Sequence, residues 1–195
     1  IDGLISNAGV GPAAPAEKIF ALNFYAGTYI AEGLRPLLTK KKGCCVMTCS
    51  NTITNSIVRM DWVELLTNLR NRERGMDLAH MIPREKGPAA YSSSKCALAR
   101  WIRRVSPNWA VDGLRINGVA PGNTTTPMTK GMTEQQRNAA LLIPIPTRYG
   151  TKEFLDAVEI ANSIVFLVSR KASGINGEIL FVDGGIDALM HSERF

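Results

Sequence analysis

Apolar residues in this chain fall into two rhythms. Residues 1–6 (around Leu4 and Ile5) and 44–49 (Cys44-Cys45-Val46-Met47-Thr48-Cys49) are short, nearly continuous apolar runs. Both predict strands, and the unbroken 44–49 run marks one buried on both faces of a parallel sheet. Residues 114–120 and 177–182 predict two more. Between these runs the apolar positions take helical spacing: Ile19, Leu22, Ala26, Ile30, Leu34 and Leu37 over 16–38, and Trp62, Leu65, Leu66 and Leu69 over 60–81. The same spacing covers 91–110 (Ala97, Leu98, Trp101, Ile102, Val105) and 154–168. Pro107 predicts a kink or break in the 91–110 helix. A short helix over 133–142 is expected inside an otherwise irregular stretch, 124–150. Gly11, Pro12 and Pro15, the Lys40-Lys41-Lys42-Gly43 turn, and Pro83, Gly87 and Pro88 mark the loops.

Strand and helix therefore alternate, the order of an α/β, Rossmann-like doubly wound parallel sheet. Ligands of such sheets bind beyond the carboxyl ends of the strands. Asn7-Ala8-Gly9, Ser50 and Pro121-Gly122 all lie where a predicted strand ends.

Length and composition narrow the picture. The 195 residues, 45% apolar and 21% charged, suit one folded domain. No apolar run reaches bilayer length and no signal-peptide pattern opens the chain, so no membrane association and a cytoplasmic location are expected. Lys and Arg number 23 against 17 Asp and Glu, a net charge of +6. The basic residues (Lys40 to Lys42, Arg70, Arg72, Arg74, Arg103, Arg104) are scattered with few aromatics among them, which argues against a nucleic-acid partner. An anionic dinucleotide would gain from the same field. With His80 and His191 the two histidines, and Cys44, Cys45, Cys49 and Cys96 in no CxxC pair, no metal site is predicted; reduced, buried thiols are. Residue 1 opens inside a strand pattern, from which a missing N-terminal part is expected.

Tyr91 and Lys95 carry the candidate chemistry. Four residues apart on a predicted helix, they share one face. A phenol titrates near ~10, and a neighbouring ammonium favours the phenolate. The pair could thus exchange a proton with a substrate hydroxyl or carbonyl. The plainer reading is a packed tyrosine beside a snorkelling lysine. Ser92 to Ser94 offer no nucleophile, because no G-x-S-x-G and no nearby histidine accompany them. Asn123-Thr124-Thr125 fits a glycosylation sequon that a cytoplasmic chain would not use.

Taken together these positions resemble the short-chain dehydrogenase/reductase family over 1 to about 185. Asn7-Ala8-Gly9 is similar to the motif after that family's fourth strand, Asn23 to its helix asparagine, Ser50 to the serine closing its fifth strand, Tyr91 and Lys95 to its Y-x-x-x-K, and Pro121-Gly122 with Thr126 to the loop after its sixth strand. The long spacing from Ser50 to Tyr91 and the ending Val182-Asp183-Gly184-Gly185-Ile186-Asp187-Ala188-Leu189-Met190 resemble the bacterial 3α-hydroxysteroid dehydrogenase/carbonyl reductase branch. The family's T-G-x-x-x-G-x-G loop and its cofactor-selecting residue do not occur in the sequence. The expectation is one partial Rossmann-type domain over 1–195, truncated at its N-terminus, with an insertion at about 52–88.

The resemblance implies an oxidoreductase that interconverts a secondary alcohol and a ketone by hydride transfer with NAD or NADP. Its small-molecule substrate would be a hydroxysteroid or another hydrophobic alcohol. Tyr91 would be the acid/base and Lys95 would lower its pKa and hold the nicotinamide ribose. Ser50 would bond the substrate oxygen, and Asn23 would hold a water linking Lys95 to solvent. Asn7, Ala8, Gly9, Pro121, Gly122, Thr124 and Thr126, with Tyr91 and Lys95, would line the cofactor. Met128, Met132, Leu141, Leu142 and Ile143 would form a lid. A homo-oligomer is implied. Many relatives pair the helices carrying Asn23 and Tyr91 across subunits; here the 60–81 segment must cover either those helices or the pocket mouth. If it covers the helices, the contact would move to about 154–182. The competing reading is a non-catalytic remnant, at most an interaction module.

Overall fold

The computed structural model of the protein describes residues 1–68, 72–151 and 153–193. The sheet holds β1 (Gly3–Ser6), β2 (Cys44–Thr48), β3 (Arg115–Pro121) and β6 (Ile179–Val182), all parallel and in the order β1-β2-β3-β6. The alternation of side chains along β2 explains why both faces are covered. Cys45 and Met47 enter the core that contains Phe20, Phe24, Ile102 and Trp109, whereas Cys44 and Val46 enter the one that contains Ile164 and Leu167. The helices α1 (Ala16–Phe20), α2 (Gly27–Thr39) and α5 (Gly87–Val111) thus lie on one face, and α8 (Ala157–Val168) on the other.

The predicted 16–38 helix is interrupted between α1 and α2 by a π-helical turn, Ala21–Ala26. Such turns are rare and occur disproportionately at functional sites; this one carries Asn23. The Tyr91 helix differs from expectation at both ends. It starts at Gly87, a turn before Tyr91, and it runs through Pro107 to Val111. Proline cannot bond the carbonyl of Arg103, and the Ser106 hydroxyl donates to it instead at 3.1 Å. The 60–81 segment is two helices rather than one, α3 (Met60–Thr67) and α4 (Arg72–Met81). Leu69 and Arg70 lie outside the described residues.

α3 and α4 cover the helices. Trp62, Val63 and Leu66 are buried in one cluster with Phe20, Leu98 and Trp101, and the Phe20 and Trp62 rings meet edge-on at 6.4 Å. The Arg59 N–H donates to Ser93 Oγ at 2.9 Å, which ties the start of α3 to α5. Each such buried side chain contributes about 1.5–3 kcal/mol, so the segment is part of the core.

Beyond β3, a two-stranded parallel sheet pairs β4 (Thr124–Thr125) with β5 (Leu155–Asp156). The sequence pattern did not predict it. The chain between them carries α6 (Pro127–Lys130) and α7 (Glu134–Ala140). Thr133 and Gln136 form a capping box that starts α7, as Asp156 and Glu159 do for α8. A last helix, α9 (Ile186–Met190), follows β6. All four cysteines are free thiols. Among the described residues no helix is long and apolar enough to cross a membrane, and no cluster of His, Cys, Asp and Glu could hold a metal.

Candidate active site

The carboxyl ends of β1, β2, β3 and β6 lie side by side, which brings together Asn7, Ser50, Pro121-Gly122 and Asp183. α5 crosses behind this edge and presents Tyr91 and Lys95 to it. Lys95 is 5% exposed, and its Nζ donates to the Thr48 carbonyl, one residue beyond which the chain reaches Cys49, at 2.6 Å. Among the described residues this is the ammonium's one hydrogen bond, which leaves two further protons to serve a ligand.

Ser50 is buried and caps the 3-10 turn Asn51–Thr54. Its hydroxyl lies beside the Tyr91 phenol, close enough to favour the phenolate. The ionisation of that phenol runs opposite to the expectation from spacing. Burial pushes the Tyr91 pKa above its ordinary value; the Ser50 hydroxyl pulls it down by less, and neighbouring Cys49 adds a smaller push upward. Burial also pushes the Lys95 pKa down, with Cys49 acting weakly against it. The i,i+4 spacing places the two groups together but says nothing of desolvation, which dominates both. Tyr91 is therefore a neutral phenol, suited to giving a proton.

Asn23 is 2% exposed. Its Oδ1 accepts from the Val10 N–H at 2.8 Å and its Nδ2 donates to the Val10 carbonyl at 3.0 Å. The side chain thus clamps the π turn to the loop after β1, a partner the sequence did not point to. Gly9 sits between these groups. A Cβ there would lie 2.9 Å from Asn23 Oδ1 and 3.7 Å from Lys95 Nζ, so only glycine lets the loop pass this close. Asn7 is exposed, and its Oδ1 accepts from the Thr48 hydroxyl at 2.7 Å, joining the ends of β1 and β2. Ala8 is exposed. Pro121 closes β3 opposite Val182, and the Gly122 N–H donates to the Val182 carbonyl at 3.1 Å. A Cβ on Gly122 would meet Asp183 at 2.7 Å.

Thr124 is buried in β4, where its hydroxyl donates to the Gly122 carbonyl at 2.9 Å, and Thr126 caps α6. The lid residues divide. Met128 reaches across to Gly11, whose missing Cβ would lie 3.1 Å from the Met128 Sδ. Met132 and Leu141 pack on the second core cluster. Leu142 is 81% exposed and Ile143 37% exposed, so these two face solvent rather than a pocket.

The residues fit the nicotinamide end of a dinucleotide. The exposed Asn7-Ala8-Gly9 loop, the free ammonium protons of Lys95 and the two glycines that hold the backbone close all meet at one edge of the sheet.

Comparison with known proteins agrees with this fold. Residues 77–187 match the family model described as enoyl-(acyl carrier protein) reductase, a short-chain dehydrogenase/reductase family. The 3-alpha-hydroxysteroid dehydrogenase/carbonyl reductase of Comamonas testosteroni is 27% identical over 198 residues, covering 100% of this chain and 76% of that protein. Gluconate 5-dehydrogenase of Gluconobacter oxydans is 32% identical over 149 residues, covering 66% of this chain and 56% of that protein. Among solved structures, the 3-alpha-hydroxysteroid dehydrogenase of Pseudomonas sp. B-0831 complexed with NADH superposes with a TM-score of 0.88 at 30% identity, covering 100% of this chain and 76% of that one. The chain belongs to the short-chain dehydrogenase/reductase family of oxidoreductases.

Proposed function

We propose that the protein interconverts a secondary alcohol and a ketone with NAD or NADP, and that the substrate is a hydroxysteroid or another hydrophobic alcohol. The reading rests above all on one observation. The buried Ser50 hydroxyl stands beside the Tyr91 phenol at the carboxyl edge of the sheet, with buried Lys95 one helical turn further along α5. The NADH bound by the Pseudomonas relative and the substrate class named for both hydroxysteroid relatives support it.

The nicotinamide would supply or accept the hydride. This chain's residues would do the rest. In reduction Tyr91 gives its phenolic proton to the ketone oxygen, and in oxidation the phenolate takes the alcohol proton back. Ser50 donates a hydrogen bond to the same oxygen as charge builds there. Lys95, with two ammonium protons uncommitted, holds the sugar hydroxyls and restores the proton to Tyr91. Asn7, Ala8 and Gly9 with Pro121, Gly122, Thr124 and Thr126 line the cofactor's side, and Asn23 holds the relay water. Residues 1–195 act as one Rossmann-type unit with 52–88 inserted. In a homo-oligomer, α3 and α4 would keep α5 from pairing with its copy, because they already cover that face.

The test is steady-state turnover of 3-oxosteroids and aromatic ketones with NADH and NADPH, for the protein and for Tyr91→Phe. Ketone-dependent cofactor oxidation that Tyr91→Phe abolishes is expected. Equal rates for the two proteins would overturn the reading.

A further inference from the structure

The turn that follows Ser50 carries a threonine in direct contact with it. Thr52 is half-buried on the turn Asn51–Thr54. Its backbone N–H donates to Ser50 Oγ at 3.3 Å and its hydroxyl donates to the same oxygen at 3.1 Å. A serine hydroxyl has two lone pairs and one proton. Thr52 takes both lone pairs, so the capacity left to Ser50 is its proton. The Tyr91 phenol stands beside that hydroxyl. An oxygen that accepts hydrogen bonds is polarised and donates more strongly.

The turn is also held from its far side. Thr54 Oγ1 donates to Asp187 Oδ1 at 2.6 Å, and Asn51 Nδ2 donates to Asp183 Oδ2 at 3.5 Å. Asp183 is 3% exposed and accepts the N–H groups of Gly185 and Asp187 at 2.9 and 2.7 Å. The segment after β6 therefore anchors the turn, and the anchored turn keeps both Thr52 donors aimed at Ser50.

We propose that Thr52 is a positioning residue of the reaction: it fixes the Ser50 hydroxyl as a one-way donor, aimed at Tyr91 in the free protein and at the substrate oxygen once substrate is bound. This rests on Ser50 and Tyr91 acting as set out above. Loss of the Thr52 hydroxyl leaves one lone pair of Ser50 free, and the Ser50 proton can then turn away from Tyr91. The interaction grows as charge develops on the substrate oxygen, so its loss falls on kcat and not on KM.

Four variants decide the matter: Thr52→Val, Thr52→Ser, Ser50→Ala and the Ser50→Ala/Thr52→Val double variant. Two readouts are used. One is steady-state reduction of a 3-oxosteroid probe with NADH and NADPH. The other needs no turnover: the 13Cζ resonance of Tyr91 in tyrosine-labelled protein, which reports the hydrogen bond at the phenol. Thr52→Val is expected to lower kcat about 5- to 30-fold with KM within about twofold, in line with the loss of one hydrogen bond to a charged state. It also moves the Tyr91 resonance in the direction that Ser50→Ala moves it. Thr52→Ser keeps the hydroxyl and restores both readouts. In the double variant, Thr52→Val adds nothing to Ser50→Ala.

If Thr52→Val leaves the Tyr91 resonance at its original position while Ser50→Ala shifts it, the positioning role is wrong and the catalytic assignment stands. If Ser50→Ala leaves turnover unchanged, the catalytic assignment itself fails, and the positioning role fails with it.

Discussion

Replacing Tyr91 by phenylalanine removes one oxygen from a site that otherwise remains intact, and the structure separates its two costs. The structural cost is small. Tyr91 is half-buried, and its ring keeps its packing beside the main core cluster. Ser50 loses the phenol but retains both donors from Thr52. A lost neutral hydrogen bond costs about 0.5–1.5 kcal/mol net, a fall in Tm of a few degrees for a chain of this size. The chemical cost is larger, because in the proposed reaction the phenol is the group that gives the proton. A positioned acid/base contributes about 10²- to 10⁴-fold, or ~2.7–5.5 kcal/mol at 1.36 kcal/mol per decade. Steady-state rates in both directions with NAD(H) and NADP(H), beside a thermal melt by circular dichroism, read the two costs separately. Activity within about tenfold of the parent protein, below the range that an acid/base supplies, would refute the assignment of Tyr91.

Burial raises the Tyr91 pKa above 10.0, so the protonated form that reduction needs persists through neutral pH. The reductive kcat is expected to stay flat from about pH 6 to pH 10, while oxidation rises with pH as the phenolate grows about tenfold per unit; a reductive rate that breaks at pH 7–8 would contradict this. Burial pushes the Cys49 thiol up to about 12, which predicts that a thiol reagent near neutral pH labels half-buried Cys96 and spares Cys49, as peptide mass spectrometry would report. Gly122→Ala forces a Cβ to 2.7 Å from Asp183; a loss of about 1–3 kcal/mol, typical of overpacking, should appear in the denaturant midpoint. Because α3 and α4 cover α5, cysteines placed on the exposed side of α5 are expected not to crosslink between subunits, whereas cysteines in the α8–β6 region are; the reverse pattern would show that α5 pairs.

Much of the sheet was legible because a strand buried on both faces must be almost wholly apolar, as 44–49 is. The candidate site positions at the strand ends, such as Ser50 and Gly122, were legible for a related reason: a polar or glycine residue that abruptly ends such a run has to be explained. What escaped had partners far away or faces that spacing cannot assign. Thr52 and Asp183 look like ordinary turn residues until the fold brings Asn51 and Asp183 together across the sheet edge. Helical periodicity continues from Trp62 to Leu78 and hides the division into α3 and α4. Leu142 and Met132 read alike as apolar, yet the first is solvated and the second packed. The direction of the Tyr91 shift was out of reach for the same reason, since spacing gives proximity and only the packed structure gives dielectric.

The short β4–β5 ladder has an evolutionary consequence. It fastens both ends of the chain that carries α6 and α7 at a single point, Thr124 with Leu155 and Thr125 with Asp156. Closing a loop of twice the length costs only about 0.6 kcal/mol more. The exposed part of the stretch, around Leu142, can therefore be lengthened or shortened at little cost, while Ile145 and Phe154 keep its end packed against the sheet. Tyr91, Lys95 and Ser50 stand outside it, on α5 and at the end of β2. A lineage carrying this ladder can vary that exposed part in length without moving α5 or the end of β2.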